Sequence, residues 1–227
     1  MPNQGASAGE DWQAHVDREE ARYRDGESRL PEAADADSRQ RQLTRLGNVS
    51  AGAGLALLMA GRRDEAAARL TRAAERYRES FVDAPPGSWG RPIGAIKARL
   101  LADDWDGAMT DARWALEAGA AEADSPIGRY AAALALLVLG DDEHARVHAD
   151  AIRTRDDFPA EVGDALAFLA AHDVVGYTVA VEAVLESFEQ RDEYLEDVPA
   201  ADTVLVLQAL AARRRITAEF SSPLLPA

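Results

Sequence analysis

His144 and His148 stand four residues apart in the stretch DDEHARVHAD, with Asp141, Asp142 and Asp150 beside them. On a helix, side chains four apart share a face, so two imidazoles at this spacing could hold one metal ion. A stable site needs a third and a fourth ligand on that face, and none follows at the required spacing. Acids just ahead of a helix have a simpler role, since they accept from the first free backbone N–H groups and suit the helix dipole. No metal and no cofactor are therefore expected. The pairs Asp103/Asp104, Asp156/Asp157 and Glu193/Glu196 have the residue types for acid–base chemistry. In a chain with 40 acids such pairs arise by chance, and most of these stand where helices start. Ser221 and Ser222 lie in SSPLLPA without a Gly-x-Ser-x-Gly elbow or an oriented histidine. There is no cysteine, Walker loop or GxGxxG fingerprint, and the close glycines of AGAGLAL from Ala51 fit tight helix packing. No catalytic residue is assigned, and the chain is not expected to be an enzyme.

The residue types instead favour binding. The segment Ala84 to Arg99, APPGSWGRPIGAIKAR, joins an indole and two proline turns to Arg91, Lys97 and Arg99, and Lys97 is the only lysine of the chain. An exposed Trp89 beside guanidinium groups has the makeup of an interaction anchor; the alternative is that Trp89 folds back to plug a gap between helices. Arg129 and Tyr130 open a later helix after a second Pro-Ile-Gly. Trp89, Arg91, Lys97, Arg99, Arg129 and Tyr130 form the candidate binding set.

Positioning these side chains requires helices. Residues 1–9, polar and Gly-rich, are expected to be disordered. Trp12, His15, Val16, Glu19 and Tyr23 have helical spacing over residues 11–24, and Gly26 and Pro31 then interrupt it. Residues 1–35 thus divide into a loose start, one amphipathic helix and a linker. From Ala36 onward, Ala- and Leu-rich stretches are separated by short breaks, and no stretch alternates with period two for long. Val204 to Leu207 is only a short β-branched run inside a helical segment. The expected fold is all-α, a single helical domain over residues 36–220 with a C-terminal tail over 221–227.

Four neighbourhoods share one pattern: AGRRDEAAARLTRAA from Ala60, ADDWDGAMTDARWAL from Ala102, LGDDEHARVHADAIR from Leu139 and AHDVVGYTVAVEAVL from Ala171. In the first three a turn residue precedes a small one by five positions: Gly61 and Ala66, Asp103 and Ala108, Gly140 and Ala145. The fourth pairs Ala171 with Gly176, or is shifted by a residue. Seven positions further come Ala73, Ala115, Ile152 and Ala183, on the same helix face. Small residues there allow antiparallel helices to cross closely. Pro-Ile-Gly recurs at Pro92 and Pro126, 34 residues apart. This arrangement, over about Gly52 to Ser187, resembles the tetratricopeptide repeat, a helix-turn-helix unit of 34 residues. The turn spacings here are unequal, PPGSWGRP is inserted between the first two units, and only Trp105 supplies an aromatic two residues after the turn. The resemblance implies stacked antiparallel hairpins in an α-solenoid; an irregular α-helical bundle is the alternative. It also implies a groove lined by the first helices of successive units, with Arg91, Lys97, Arg129 and Tyr130 as contacts.

The charge sets limits on partners. With 25 Lys and Arg against 40 Asp and Glu, the net charge is -15, which disfavours nucleic acid and membranes. A surface rich in carboxylates and nearly free of lysine resembles salt-in halophilic proteins; codon bias in GC-rich DNA is the competing cause of the arginine usage. The longest apolar run, Ala131 to Leu139, is too short to span a membrane, and the start is too polar for a signal peptide, so a cytoplasmic location is expected. The leading functional expectation is a non-enzymatic helical-repeat protein binding another protein or a peptide, with an acidic peptide as a candidate. An immunity protein neutralising a toxin and a small-molecule-binding helical protein are the alternatives.

Overall fold

The computed structural model describes residues 8–226, with side chains from Trp12 onward. The described residues form ten α-helices and no strand: α1 (Ala8–Ser28), α2 (Ala36–Met59), α3 (Arg63–Phe81), α4 (Gly90–Leu101), α5 (Trp105–Glu117), α6 (Pro126–Leu139), α7 (Asp142–Ile152), α8 (Ala160–Ala170), α9 (Val174–Glu189) and α10 (Asp202–Arg213). Of residues 1–9, expected to be disordered, 1–7 lie outside the described residues, and Ala8 and Gly9 are helical, opening α1.

One turn, used four times, makes the hairpins α2/α3, α4/α5, α6/α7 and α8/α9. At each turn an N–H reaches back five residues: Arg62 to Leu57 O (2.9 Å), Asp104 to Arg99 O (2.9 Å), Asp141 to Leu136 O (3.0 Å) and Asp173 to Phe168 O (3.0 Å). This bond pattern needs a left-handed residue just before it. Gly61 and Gly140 take that conformation freely (φ 73° and 80°), whereas Asp103 and His172 adopt it at φ 57° and 55°. Asp104, Asp141 and Asp173 then cap the second helix by accepting from the N–H groups of Gly107, His144 and Gly176. The acids at these breaks are thus helix caps, each worth about 1 kcal/mol.

Ala66, Ala108 and Ala145, five residues past the turn, are fully buried, as are Ala73, Ala115 and Ile152 seven residues later. In the fourth hairpin the register is the shifted one: His172 turns, and Tyr177 and Val184, both fully buried, take the inward positions in place of Gly176 and Ala183. A large side chain therefore stands where the other hairpins use alanine.

The first helices of the hairpins form one layer in which α4 packs on α6 and α6 on α8. Between α2 and α4 no comparable approach of the backbones exists. The ring of Tyr77 from α3 lies there: a Cβ added to Gly47 of α2 or to Gly94 of α4 would stand 2.8 Å from it. Gly94 ends the first Pro-Ile-Gly, and Gly128 ends the second, where an added Cβ would stand closest to Ala123 Cβ, and 2.9 Å from Trp89 Nε1. Each recurrence opens a helix and leaves room for an aromatic ring from the preceding part of the chain.

Both termini extend the array. Helix α1 packs on α2, and Tyr23, Leu46 and Val49 form a small buried cluster between them. Its acids meet arginines of α3: Glu20 lies 2.6 Å from Arg69 and 2.8 Å from Arg72, and the Arg72 guanidinium covers the Tyr23 ring at 3.7 Å. The C-terminal residues run back over the first-helix layer. A single 3-10 turn, Leu195–Asp197, contacts α2, Val198 and Ala200 are buried, and α10 packs on α4, α8 and α9. The β-branched run Val204 to Leu207 is helical within α10. Residues 221–226, expected as a tail, join the core through buried Leu224 and Leu225, and Leu224 O accepts from Ala201 N at 2.9 Å. Among the described residues no helix is long and apolar enough to cross a membrane.

Candidate functional site

The gap between α2 and α4 is a crevice of about 330 Å³, at the small end of the range of ligand sites. Residues one helical turn apart line both walls. Helix α2 presents Thr44, Asn48, Ala51 and Leu55, and α4 presents Arg91, Gly94, Ala98 and Leu101. Leu70 and Tyr77 of α3 line it too, and Leu195, Lys97 and Asp202 complete the wall from the returning segment and its anchor. The crevice is therefore polar at the Thr44–Arg91 end and apolar at the Leu55–Leu101 end.

The polar groups are held by defined bonds. Arg91 Nε donates to Thr44 Oγ1 at 3.2 Å, and Arg91 Nη2 donates to Gln40 Oε1. Tyr77 OH donates to Asn48 Oδ1 at 3.0 Å, which leaves the Asn48 amide N–H groups as donors. Lys97 Nζ lies 2.5 Å from Asp202 Oδ2 and donates to Thr203 Oγ1 at 3.1 Å, closing the crevice with α10. Burial acts against the Lys97 charge, but the Asp202 carboxylate outweighs it and holds the ammonium above its ordinary pKa. Burial raises the Tyr77 and Tyr130 hydroxyls, so both stay neutral. Burial alone lowers the Arg91 guanidinium, since no carboxylate offsets it.

Of the candidate binding set, Arg91 and Lys97 line this crevice, and Tyr130 lies behind Lys97, buried against Phe158 with ring centroids 5.5 Å apart. The other three lie elsewhere. Trp89 is a plug, buried with its ring 6.2 Å from that of Phe81. Arg99 turns toward α5 and pairs with Asp104 at 2.8 Å and with the buried Asp111 at 3.4 Å. Arg129 pairs with Asp124 at 3.3 Å. The cations therefore do not converge on one positive groove, and the returning C-terminal segment covers much of the layer a groove would need.

Among the described residues no group of three or more His, Asp or Glu side chains is placed to hold a metal ion. The Asp141 carboxylate lies 2.9 Å from His144 Nδ1, and its hydrogen bond and charge raise the His144 pKa. His148 is lowered by burial and by Arg129. Thr44, Asn48, Tyr77, Leu195 and Asp202 were not among the sequence candidates. The helical spacing of Thr44, Asn48, Ala51 and Leu55 could mark one face of α2, but nothing local pairs that face with residues of α10.

No protein-family model matches the chain, and no curated protein and no solved structure is significantly similar to it.

Proposed function

We propose that this chain is a non-enzymatic binding protein, a tetratricopeptide-like array of hairpins that receives its ligand in the α2–α4 crevice. One observation carries this reading: in the first-helix layer α4 packs on α6 and α6 on α8, whereas between α2 and α4 the Tyr77 ring, seated against Gly47 and Gly94, stands beside a crevice. A gap this apolar inside an otherwise packed array costs contact energy that packed side chains would recover. Its retention supports a role in holding something. The neighbouring groups are donors, buried hydroxyls and an ion pair, without a nucleophile beside a base, so the chemistry supported is recognition.

The test uses a neutral apolar fluorophore, N-phenyl-1-naphthylamine. It should bind the native protein saturably, one molecule per chain, with enhanced emission. Ala51→Phe places a ring in the crevice and should abolish that binding while circular dichroism shows the helical content unchanged. Binding that persists in this variant would place the ligand site elsewhere.

A further inference from the structure

Every partly buried lysine or arginine among the described residues has a carboxylate within 4 Å, except Arg91. In a chain with 15 more acids than bases, an unpaired guanidinium in a partly buried position is the uncommon arrangement, because a burial cost left uncompensated is easily relieved by one nearby acid. Arg91 is instead held by two neutral acceptors, Thr44 and Gln40, which fix its direction without cancelling its charge. It stands at one end of the crevice, and Asn48 offers further N–H donors beside it. Apart from the mutually neutralised Lys97–Asp202 pair, the lining from there is largely apolar, through Ala51 and Ala98 to Leu55 and Leu101. Arg91 and Leu101 are ten positions apart on α4, roughly 15 Å along a helix. An opening of this shape suits an extended molecule with an anion at one end and an alkyl body behind it.

We infer that the crevice binds a small amphipathic carboxylate, such as a free medium-chain fatty acid, with its carboxylate on the Arg91 guanidinium and its chain along the Ala51–Leu55 and Ala98–Leu101 walls. The inference rests on the proposed function, in that it names the ligand class of the same crevice. A carboxylate completes the fork that Arg91 lacks, and planar bidentate pairing is the interaction for which arginine is best suited. The net negative charge of the body repels the same anion from the rest of the surface, so specificity comes from the one compensated place. Lys97 does not compete for the head group, because Asp202 already neutralises it.

Isothermal titration calorimetry on the full chain with decanoate and decyltrimethylammonium below their micelle concentrations, and decanol below its solubility limit, tests this. Decanoate should bind with a stoichiometry of one per chain and more tightly than the other two. Arg91→Gln should weaken decanoate by about tenfold or more, the scale of a lost hydrogen-bonded charge pair, and leave decanol within about twofold. Arg91→Lys, which keeps the charge, should retain part of the preference for the acid. Decanol binding as tightly as decanoate would overturn the anion assignment while leaving the crevice as a binding site. Absence of binding by all three would remove the crevice reading as well. Equal loss of acid and alcohol in Arg91→Gln, with the melting temperature lowered, would show that Arg91 acts only in the packing of α4.

Discussion

Tyr177 shows how a single residue departs from the pattern around it. In three hairpins alanine takes the buried position five residues past the turn; in the fourth, Tyr177 takes it, fully buried, and its hydroxyl has no hydrogen-bond partner. A buried hydroxyl that loses water without gaining a partner costs on the order of 1–3 kcal/mol. Tyr177→Phe keeps the ring and removes the orphan group, so it should stabilise the fold by about 1 kcal/mol. Urea titration decides it, and a clear loss of stability would show that the hydroxyl is satisfied in solution. Arg91 is the electrostatic counterpart, a partly buried charge with acceptors but no counterion. Arg91 was a candidate by its type, but its lack of a counterion, like the lack of a partner at Tyr177, is a property of the surroundings that residue type does not carry.

At the scale of elements, the hairpin depends on close approach. Ala108 and Ala145 are fully buried at the crossing of the two helices of their hairpins, whereas Ala36 opens α2 on the surface. Ala108→Leu and Ala145→Leu should each destabilise by about 1–3 kcal/mol through overpacking, and Ala36→Leu by less than about 0.5 kcal/mol. Denaturant midpoints of the three variants measure this, and equal small effects would show that the hairpins can separate without cost. The turn register was legible in three of the four hairpins, where a glycine or aspartate precedes the buried alanine by five residues. It was ambiguous in the fourth because His172 is an unusual left-handed residue and Tyr177 is not small. Likewise the Pro-Ile-Gly recurrence was visible, but its cause was not: each glycine leaves room for a ring, Tyr77 or Trp89, whose position is set by packing.

For the whole molecule the dominant electrostatic fact is the net charge of -15. Many of the acids pair with arginine, including the exposed pairs Asp25 with Arg29, Asp37 with Arg41 and Asp157 with Arg155, and screening weakens such exposed pairs. The uncompensated surplus repels itself through the compact state, and salt relieves that repulsion over a Debye length of about 10 Å at 0.1 M. Each exposed pair is worth under about 1 kcal/mol, so relief of the global repulsion should win. The melting temperature should rise from low to molar KCl. A flat or falling curve would mean that the ion pairs between helices, above all those joining α1 to α3, outweigh the surplus.

Helices, caps and turns follow from interactions between residues a few positions apart. For that reason the all-α fold, the acids at the helix starts, the breaks at Gly61, Asp103 and Gly140, and the inward alanines could be derived from the order of residues alone. The charge balance needs no geometry either. The binding residues are of another kind. Whether Arg91 faces a crevice while Arg99, eight residues later, faces Asp111 depends on which side of α4 meets its neighbours. Whether Lys97 is free or neutralised depends on Asp202, more than a hundred positions away, being folded back over the first-helix layer. Leu224 and Leu225 lie in the core for the same reason: apolar side chains find whatever uncovered surface the rest of the array leaves, and that surface exists only once the hairpins have stacked.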